Sequence, residues 1–271
     1  MQLRDEHGYT FIHPFDDENV IAGQGTIGLE LLDQLPDVEA VVVPVGGGGL
    51  ISGVAYAVKS LNPNVKVYGV QASGAPSMVN SLHDHKQEKL AKVSTIADGI
   101  AVKEPGSVTF DICSRYVDDI VTVSEDEICA AILHLIESEK MVAEGAGAAS
   151  VAAVMFNKVP VKGKKTICVV SGGNIDVTIL SRVINRGLAK SGRICTLIIE
   201  LADKPGQLLK VCQVIAAQGG NIVSVYHERN NDSKKVTDCV LRLSVETKNQ
   251  EHVESITKAL TDNGLKIREN I

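Results

Sequence analysis

The chain of 271 residues has no tryptophan, and aromatic side chains make up only 3% of it. Single-stranded nucleic acid is gripped by stacking bases on aromatic rings, so that class of function is set aside. Positive charge is also scarce: 27 Lys and Arg stand against 33 Asp and Glu, a formal net charge of −6 at pH 7. No basic stripe stands out, which argues against any nucleic-acid partner. The polar start MQLRDEHGYT has no apolar core of the signal-peptide kind, and a cytoplasmic protein is expected. The six cysteines (Cys113, Cys129, Cys168, Cys195, Cys212 and Cys239) are scattered, with no CxxC. They read as reduced, mostly buried thiols rather than a disulfide framework. The seven histidines show no zinc-ligand spacing, and no metal site is expected. GxxxxGK[ST] does not occur, which argues against a nucleoside-triphosphate P-loop. Internal repeats and low-complexity runs are missing too.

What is present is organised around AVVVPVGGGGLISGVAYAV at 40–58. Residues 39–45 are apolar and β-branched, and read as a buried parallel strand. Gly46, Gly47, Gly48 and Gly49 follow as a loop with no side chains, and 50–59 reads as a helix leaving it. Bare backbone N–H groups at a helix N-terminus form an anion site, and a phosphate is the expected occupant. The alternative is a plain strand-to-helix turn, though one or two glycines would serve for that. The stretch carries no charge, but Pro44 and four glycines make it a poor spanning helix, and no membrane partner is expected.

The remaining pattern predicts a short strand at 9–15, a helix at 26–35, a strand at 66–71, and helices at 76–83 and 107–114. A strand at 119–123 precedes Ser124-Glu125-Asp126-Glu127, a capping box opening a helix. A small-residue helix at 145–156 and a buried strand at 165–170 lead to a second glycine turn, Ser171-Gly172-Gly173-Asn174, then a helix at 176–190. Strands alternating with helices imply a parallel sheet with helices on its faces. Both glycine turns follow strands of that sheet, at the edge where open α/β sheets bind ligands. The pattern changes at Ser191-Gly192. Strands at 193–201, 222–229, 236–246 and 265–267, with helices at 207–218 and 250–263, give the order βαββαβ, a ferredoxin-like module.

The segments GQGTIGLEL, VVVPVGGGGLISG, TIADGIAV, AEGAGA and VVSGGN occur in this order between 23 and 174. They resemble the threonine dehydratase (threonine ammonia-lyase) branch of fold-type II pyridoxal-phosphate enzymes. Residues 194–267 resemble an ACT regulatory domain, with DKPGQL at 203–208 as its opening turn. The layout resembles the catabolic type. The resemblance implies a catalytic portion at 1–192 and an ACT domain at 193–271. It implies pyridoxal 5′-phosphate as cofactor, with Gly46, Gly47, Gly48, Gly49 and Leu50 on its phosphate and Ser171 on its pyridine nitrogen. Glu144 would lie near the cofactor ring, with a helix-entry carboxylate as the alternative. The implied activity converts L-threonine to 2-oxobutanoate and ammonia, and L-serine to pyruvate. A small effector, an amino acid by resemblance, would meet Asp203, Gly206, Gln207, Leu208, Asn221 and Ile222 across a homo-oligomer interface. The alternative there is a dimer clamp without ligand.

Two departures qualify this. The family's Schiff-base lysine lies in an S-F-K-x-R-G-type segment, and an S-G-N-H segment underlies the cofactor; neither occurs here. The chain is therefore expected to be the later part of such an enzyme. The competing expectation is a catalytically inactive, ACT-containing ligand sensor. In the related serine racemases, carboxylates stand where this chain has Gln71 and Ser77, so a bound Mg²⁺ or Ca²⁺ is not expected.

Overall fold

In a computed structural model of the chain, residues 2–229 and 238–268 are described. They form two compact units, residues 1–180 and 181–271. The first unit runs α1 (Gln2–His7), α2 (Glu18–Gln34), β1 (Ala40–Pro44), α3 (Gly49–Leu61), β2 (Lys66–Ala72), α4 (Ser77–His83), α5 (Ser107–Tyr116), β3 (Asp119–Val123), α6 (Glu125–His134), α7 (Gly145–Met155) and β4 (Thr166–Cys168). Helix α8 (Val177–Lys190) follows. The strands pair in parallel in the order β3-β2-β1-β4. Chain order reverses between β1 and β4, and the carboxyl ends of those two strands carry the two glycine turns. Among the described residues no helix is long and apolar enough to cross a membrane. The uncharged run at 40–58 is divided into strand, loop and helix.

The core explains why this sheet forms. Val41, Val43, Val45, Val54, Val58, Val65 and Val67 are buried together with Ile51 and Met78. Helix α3 lies against α2 at backbone distance: a Cβ on Gly53 would come within 2.3 Å of the Ile21 carbonyl oxygen. That contact fixes the helix whose N-terminus forms the glycine loop. Helix α6 opens with the expected box, the Ser124 hydroxyl accepting from Glu127 N and the Glu127 carboxylate accepting from Ser124 N.

The structure corrects three expectations. Residues 9–15 are not a strand; the His13 ring accepts from the Asp16 backbone N–H at 2.9 Å, which closes a turn there. Helix α2 starts eight residues earlier than its apolar stripe suggests, because the Asp17 carboxylate caps the N–H groups of Asn19 and Val20. The strand at 165–170 shortens to β4 and is only half-buried, since β1 is its partner on one side alone among the described residues.

The second unit contains β5 (Ile194–Ala202), α9 (Gln207–Ala217), β6 (Asn221–Glu228), β7 (Asp238–Glu246), α10 (Gln250–Asp262) and β8 (Lys266–Arg268). The sheet is antiparallel in the order β6-β7-β5-β8, the ferredoxin-like arrangement. The expected strand start at 236–237 lies outside the described residues. Leu197, Ile199, Leu201, Leu241, Leu243, Val245, Val211, Ile215, Ile256 and Leu260 make a separate core.

Candidate functional site

Strand β1 ends at Pro44 and the chain turns through Gly46, Gly47 and Gly48 into α3. Gly48 sits at φ 100, a left-handed conformation that only glycine adopts without strain, and it is the N-cap of α3. With no capping side chain there, the first N–H groups of the helix are open to an outside acceptor. The loop is backed by protein. A Cβ on Gly47 would fall 2.3 Å from the Phe15 ring, and one on Gly48 2.7 Å from the Met78 methyl and 2.8 Å from Thr109 Cβ. The Gly47 carbonyl accepts from the Thr109 hydroxyl at 2.6 Å and from Gly106 N at 3.2 Å.

Phe15 is held in turn by Asp16. Its carboxylate accepts from the backbone N–H groups of Ser107, Val108 and Thr109 at 3.0, 2.9 and 3.2 Å. Asp16 thus caps α5 from a distant part of the chain, with a charge suited to a helix N-terminus. Gln71, at the end of β2, does the same for α4: its amide oxygen accepts from Met78 N at 2.9 Å and Val79 N at 3.0 Å.

The second turn approaches from β4. Ser171 is exposed just beyond the strand. The Gly172 carbonyl accepts from Glu144 N at 3.1 Å. Glu144 is the N-cap residue of α7, yet its side chain makes no capping hydrogen bond. Its carboxylate lies over Gly172 instead, where an added Cβ would be 2.3 Å from Oε1. Helix α7 reaches this position because Gly145, Ala146, Gly147, Ala148, Ala149 and Ser150 are small and buried. The Ser150 hydroxyl donates to the Val169 carbonyl at 2.8 Å and pins the helix to the strand that leads to Ser171.

These pieces enclose one cavity of about 340 Å³. Gly46, Gly47, Gly48, Gly49, Leu50, Glu144 and Ser171 all line it. Pro14, Phe15, Ile100 and Val102 also line it and were not legible as site residues from sequence. Pro14-Phe15 carried a signal only as the end of an apolar run, which suggested a strand. Among the described residues lining the cavity, none is a lysine. The donor set fits pyridoxal phosphate: open backbone N–H groups at a helix N-terminus at one position, and an exposed neutral hydroxyl at another.

A second cavity, of about 480 Å³, lies in the second unit around the β5–α9 turn. Asp203, Gly206, Gln207 and Leu208 line it, together with His227, Arg229 and Cys239. Gly206 takes φ 84 as the N-cap of α9. Asn221 and Ile222 do not reach this cavity. Asn221 donates to the Glu246 carboxylate at 2.8 Å, and Ile222 packs against the core.

Comparison with known proteins follows the same division. The profile of the pyridoxal-phosphate dependent enzyme family matches residues 1–173, and that of the ACT domain matches residues 191–263. The L-threonine ammonia-lyase of Thermotoga maritima is 50% identical over 268 residues, covering 99% of this chain and 67% of that protein. That of Geobacter sulfurreducens is 44% identical over 260 residues, covering 96% and 65%. Other relatives are L-threonine dehydratases named both biosynthetic and catabolic. The processed form of threonine deaminase isoform 2 from Solanum lycopersicum superposes with a TM-score of 0.65 at 42% identity, covering 68% of this chain and 55% of that one. The chain thus spans about two thirds of the length of the curated relatives it matches.

Proposed function

We propose, from the premise that this chain belongs to the pyridoxal-phosphate dependent enzyme family and carries an ACT domain, that it acts in threonine ammonia-lyase chemistry. The reaction would take L-threonine to 2-oxobutanoate and ammonia, with L-serine as a second substrate. The observation that carries this reading is the meeting of both glycine turns, Ser171 and Glu144 at one cavity where the strand order reverses. Residues 1–192 would be the catalytic portion and 193–271 the ACT domain. The catabolic type is proposed from the layout of a catalytic portion followed by one ACT module. No disulfide joins the described cysteines, which suits a reducing cytoplasm.

When bound, pyridoxal phosphate acts as an electron sink that eases loss of a proton from the substrate α-carbon and departure of the β-hydroxyl. The N–H groups of Gly46, Gly47, Gly48, Gly49 and Leu50 would hold its phosphate. The Ser171 hydroxyl would donate to its pyridine nitrogen. A hydroxyl leaves that nitrogen unprotonated and the sink weaker, which suits β-elimination over transamination. Glu144, directed over Gly172 and not spent as a cap, would stand beside the ring. Titrating the chain with pyridoxal phosphate and with pyridoxal tests the site. The phosphate should tighten binding by about 10- to 100-fold, the value of one charge-assisted hydrogen-bond set. Ser171→Ala should weaken it about two- to tenfold. Equal affinity for the two compounds would remove the phosphate site.

The cavity in the ACT unit supports a second reading, in which this polypeptide is a ligand sensor. We expect borohydride reduction of a pyridoxal-phosphate mixture to label no single lysine stoichiometrically, since none of the described residues lining the cofactor cavity is a lysine. One fully labelled lysine, with dehydratase activity, would instead establish this chain as a self-sufficient catalyst. For the ACT domain we propose an amino-acid effector on the N–H groups of Gly206, Gln207 and Leu208, within a homo-oligomer. In the assembly, Asn221 and Ile222 of a second copy would complete that site.

A further inference from the structure

Three ligand-type side chains from separate segments meet in the cavity of the second unit. Asp203 follows β5, His227 is near the end of β6 and Cys239 is near the start of β7. One donor atom from each lies within 4.8 Å of the others. The sheet register explains the convergence. Cys239 is opposite Leu201, and His227 is opposite Leu241. Side chains two apart on a strand share a face. Asp203, two beyond Leu201, and His227, diagonal to Cys239, therefore extend the face that carries Leu201 and Leu241.

The spacing is wide for direct bonding and suited to a shared ion. His227 Nε2 and Asp203 Oδ1 are 3.8 Å apart, too long for a hydrogen bond. Two donors on one tetrahedral Zn²⁺ stand roughly 3.4 Å apart, from metal–ligand distances of about 2.0–2.1 Å. The other Asp203 oxygen meets Arg229 Nε at 3.1 Å, leaving Oδ1 turned toward His227. Such an outer partner orients a ligating carboxylate. Cys239 is only 2% exposed, whereas about a third of each of the other two side chains reaches the cavity.

We propose that Asp203, His227 and Cys239 form a site for one borderline-soft divalent cation of the Zn²⁺ class, with its fourth position open to the cavity. Thiolate and imidazole donors select such ions over Mg²⁺ and Ca²⁺, which take oxygen alone. The carboxylate and thiolate together balance the charge of the ion, and the thiol proton passes to solvent on binding. Three protein ligands and an open position differ from a closed structural site. A small molecule bound in the cavity can then add the fourth donor. The site departs from the expectation of no metal, because its ligands are brought together by register and not by short sequence spacing. It stands apart from the cofactor reading, resting on the second unit alone.

The test uses the full chain, reduced, stripped with chelator and titrated with Co²⁺. About one ion per chain should bind, with thiolate-to-cobalt charge-transfer absorption in the near ultraviolet, and Zn²⁺ should displace it. Cys239→Ser should abolish the band, while Cys212→Ser, outside the cluster, should leave it intact. His227→Gln and Asp203→Asn should each weaken Zn²⁺ binding at least about tenfold, the loss that even an outer-shell partner brings. Should Cys239→Ser fail to fold, the other two variants decide, since both side chains reach solvent. The proposal is overturned by absence of the band, by a band that survives Cys239→Ser in a folded chain, or by unchanged affinity in His227→Gln and Asp203→Asn.

Discussion

A glycine loop invites the substitution of each glycine by a charged residue as proof of a phosphate site. The surroundings of Gly47 and Gly48 make that a poor proof here. Any side chain on Gly47 meets the Phe15 ring, and any on Gly48 meets Met78 and Thr109. Gly48 also requires positive φ. Gly48→Ala should therefore destabilise the first unit by about 1–3 kcal/mol from backbone strain alone, with the clash added. Urea denaturation without cofactor checks this. An unchanged midpoint would show that the loop relaxes freely and that its packing against Thr109 and Met78 is slack. Loss of cofactor binding in that variant then says little about phosphate, which is why the comparison of pyridoxal phosphate with pyridoxal is the better probe. At this scale the sequence was informative about residues whose type is unusual, such as four glycines in a row. Phe15 and Asp16 are ordinary residues given meaning by Gly47 and by Ser107, 32 and 91 positions away, and no local pattern displays that.

Between elements, Asp118 ties the helix behind the glycine loop to the sheet. Its carboxylate pairs with Lys59 of α3 at 2.6 Å and Lys66 of β2 at 2.7 Å, and accepts from Val67 N at 2.8 Å. Partial burial pushes its pKa up, but the two lysines and the backbone N–H outweigh that and hold it below the usual aspartate value. A depressed folded pKa means stabilisation that is fully present above the unfolded value, about 3.9, and lost as pH falls through the folded one. Asp118→Asn should lower stability at neutral pH and flatten its fall below about pH 4. Urea midpoints of both proteins across that range give the measurement. Parallel curves would mean that the pair contributes nothing, as exposed pairs often do. Elements themselves were the most legible part of the sequence, since Ser124 and Glu127 announce α6 and valine runs announce β1. Boundaries set by a distant or unpatterned polar group, such as the Asp17 cap of α2, were not.

For the whole molecule, the order of elements was enough to imply both folds, because a βα alternation and a βαββαβ order each admit few topologies. The functional clusters depended on more. Ser171 and the glycine loop share a cavity because their strands are neighbours, which strand alternation implies. Asp203, His227 and Cys239 share one because of register, which it does not. Among the described residues the same register leaves β6 as an edge strand. Along it Val223, Val225 and Tyr226 are 57%, 39% and 61% exposed. A strand edge flanked by exposed apolar side chains pairs readily with another chain unless charge or a bulge blunts it. Here the register shift between Ile222 and Ser224 is confined to the start of β6, and pairing with β7 is regular from Ser224 to Glu228, so Val225 and Tyr226 are on an unbulged stretch of the edge. A homo-oligomer formed through 193–271 would cover this strip with a second copy. Val225→Lys combined with Tyr226→Glu should then shift the sedimentation coefficient of the full chain toward the monomer. Circular dichroism should stay unchanged, because Val225, opposite Leu243 on one face, and Tyr226, opposite Arg242 on the other, are both exposed at this edge. The effector reading can be checked in the same samples. If Asn221 of one copy completes the site of another, amino-acid binding should weaken with dissociation and recover as protein concentration rises. A variant that stays fully associated would place the oligomer contact elsewhere, and binding indifferent to concentration would confine the effector to the cavity of a single copy.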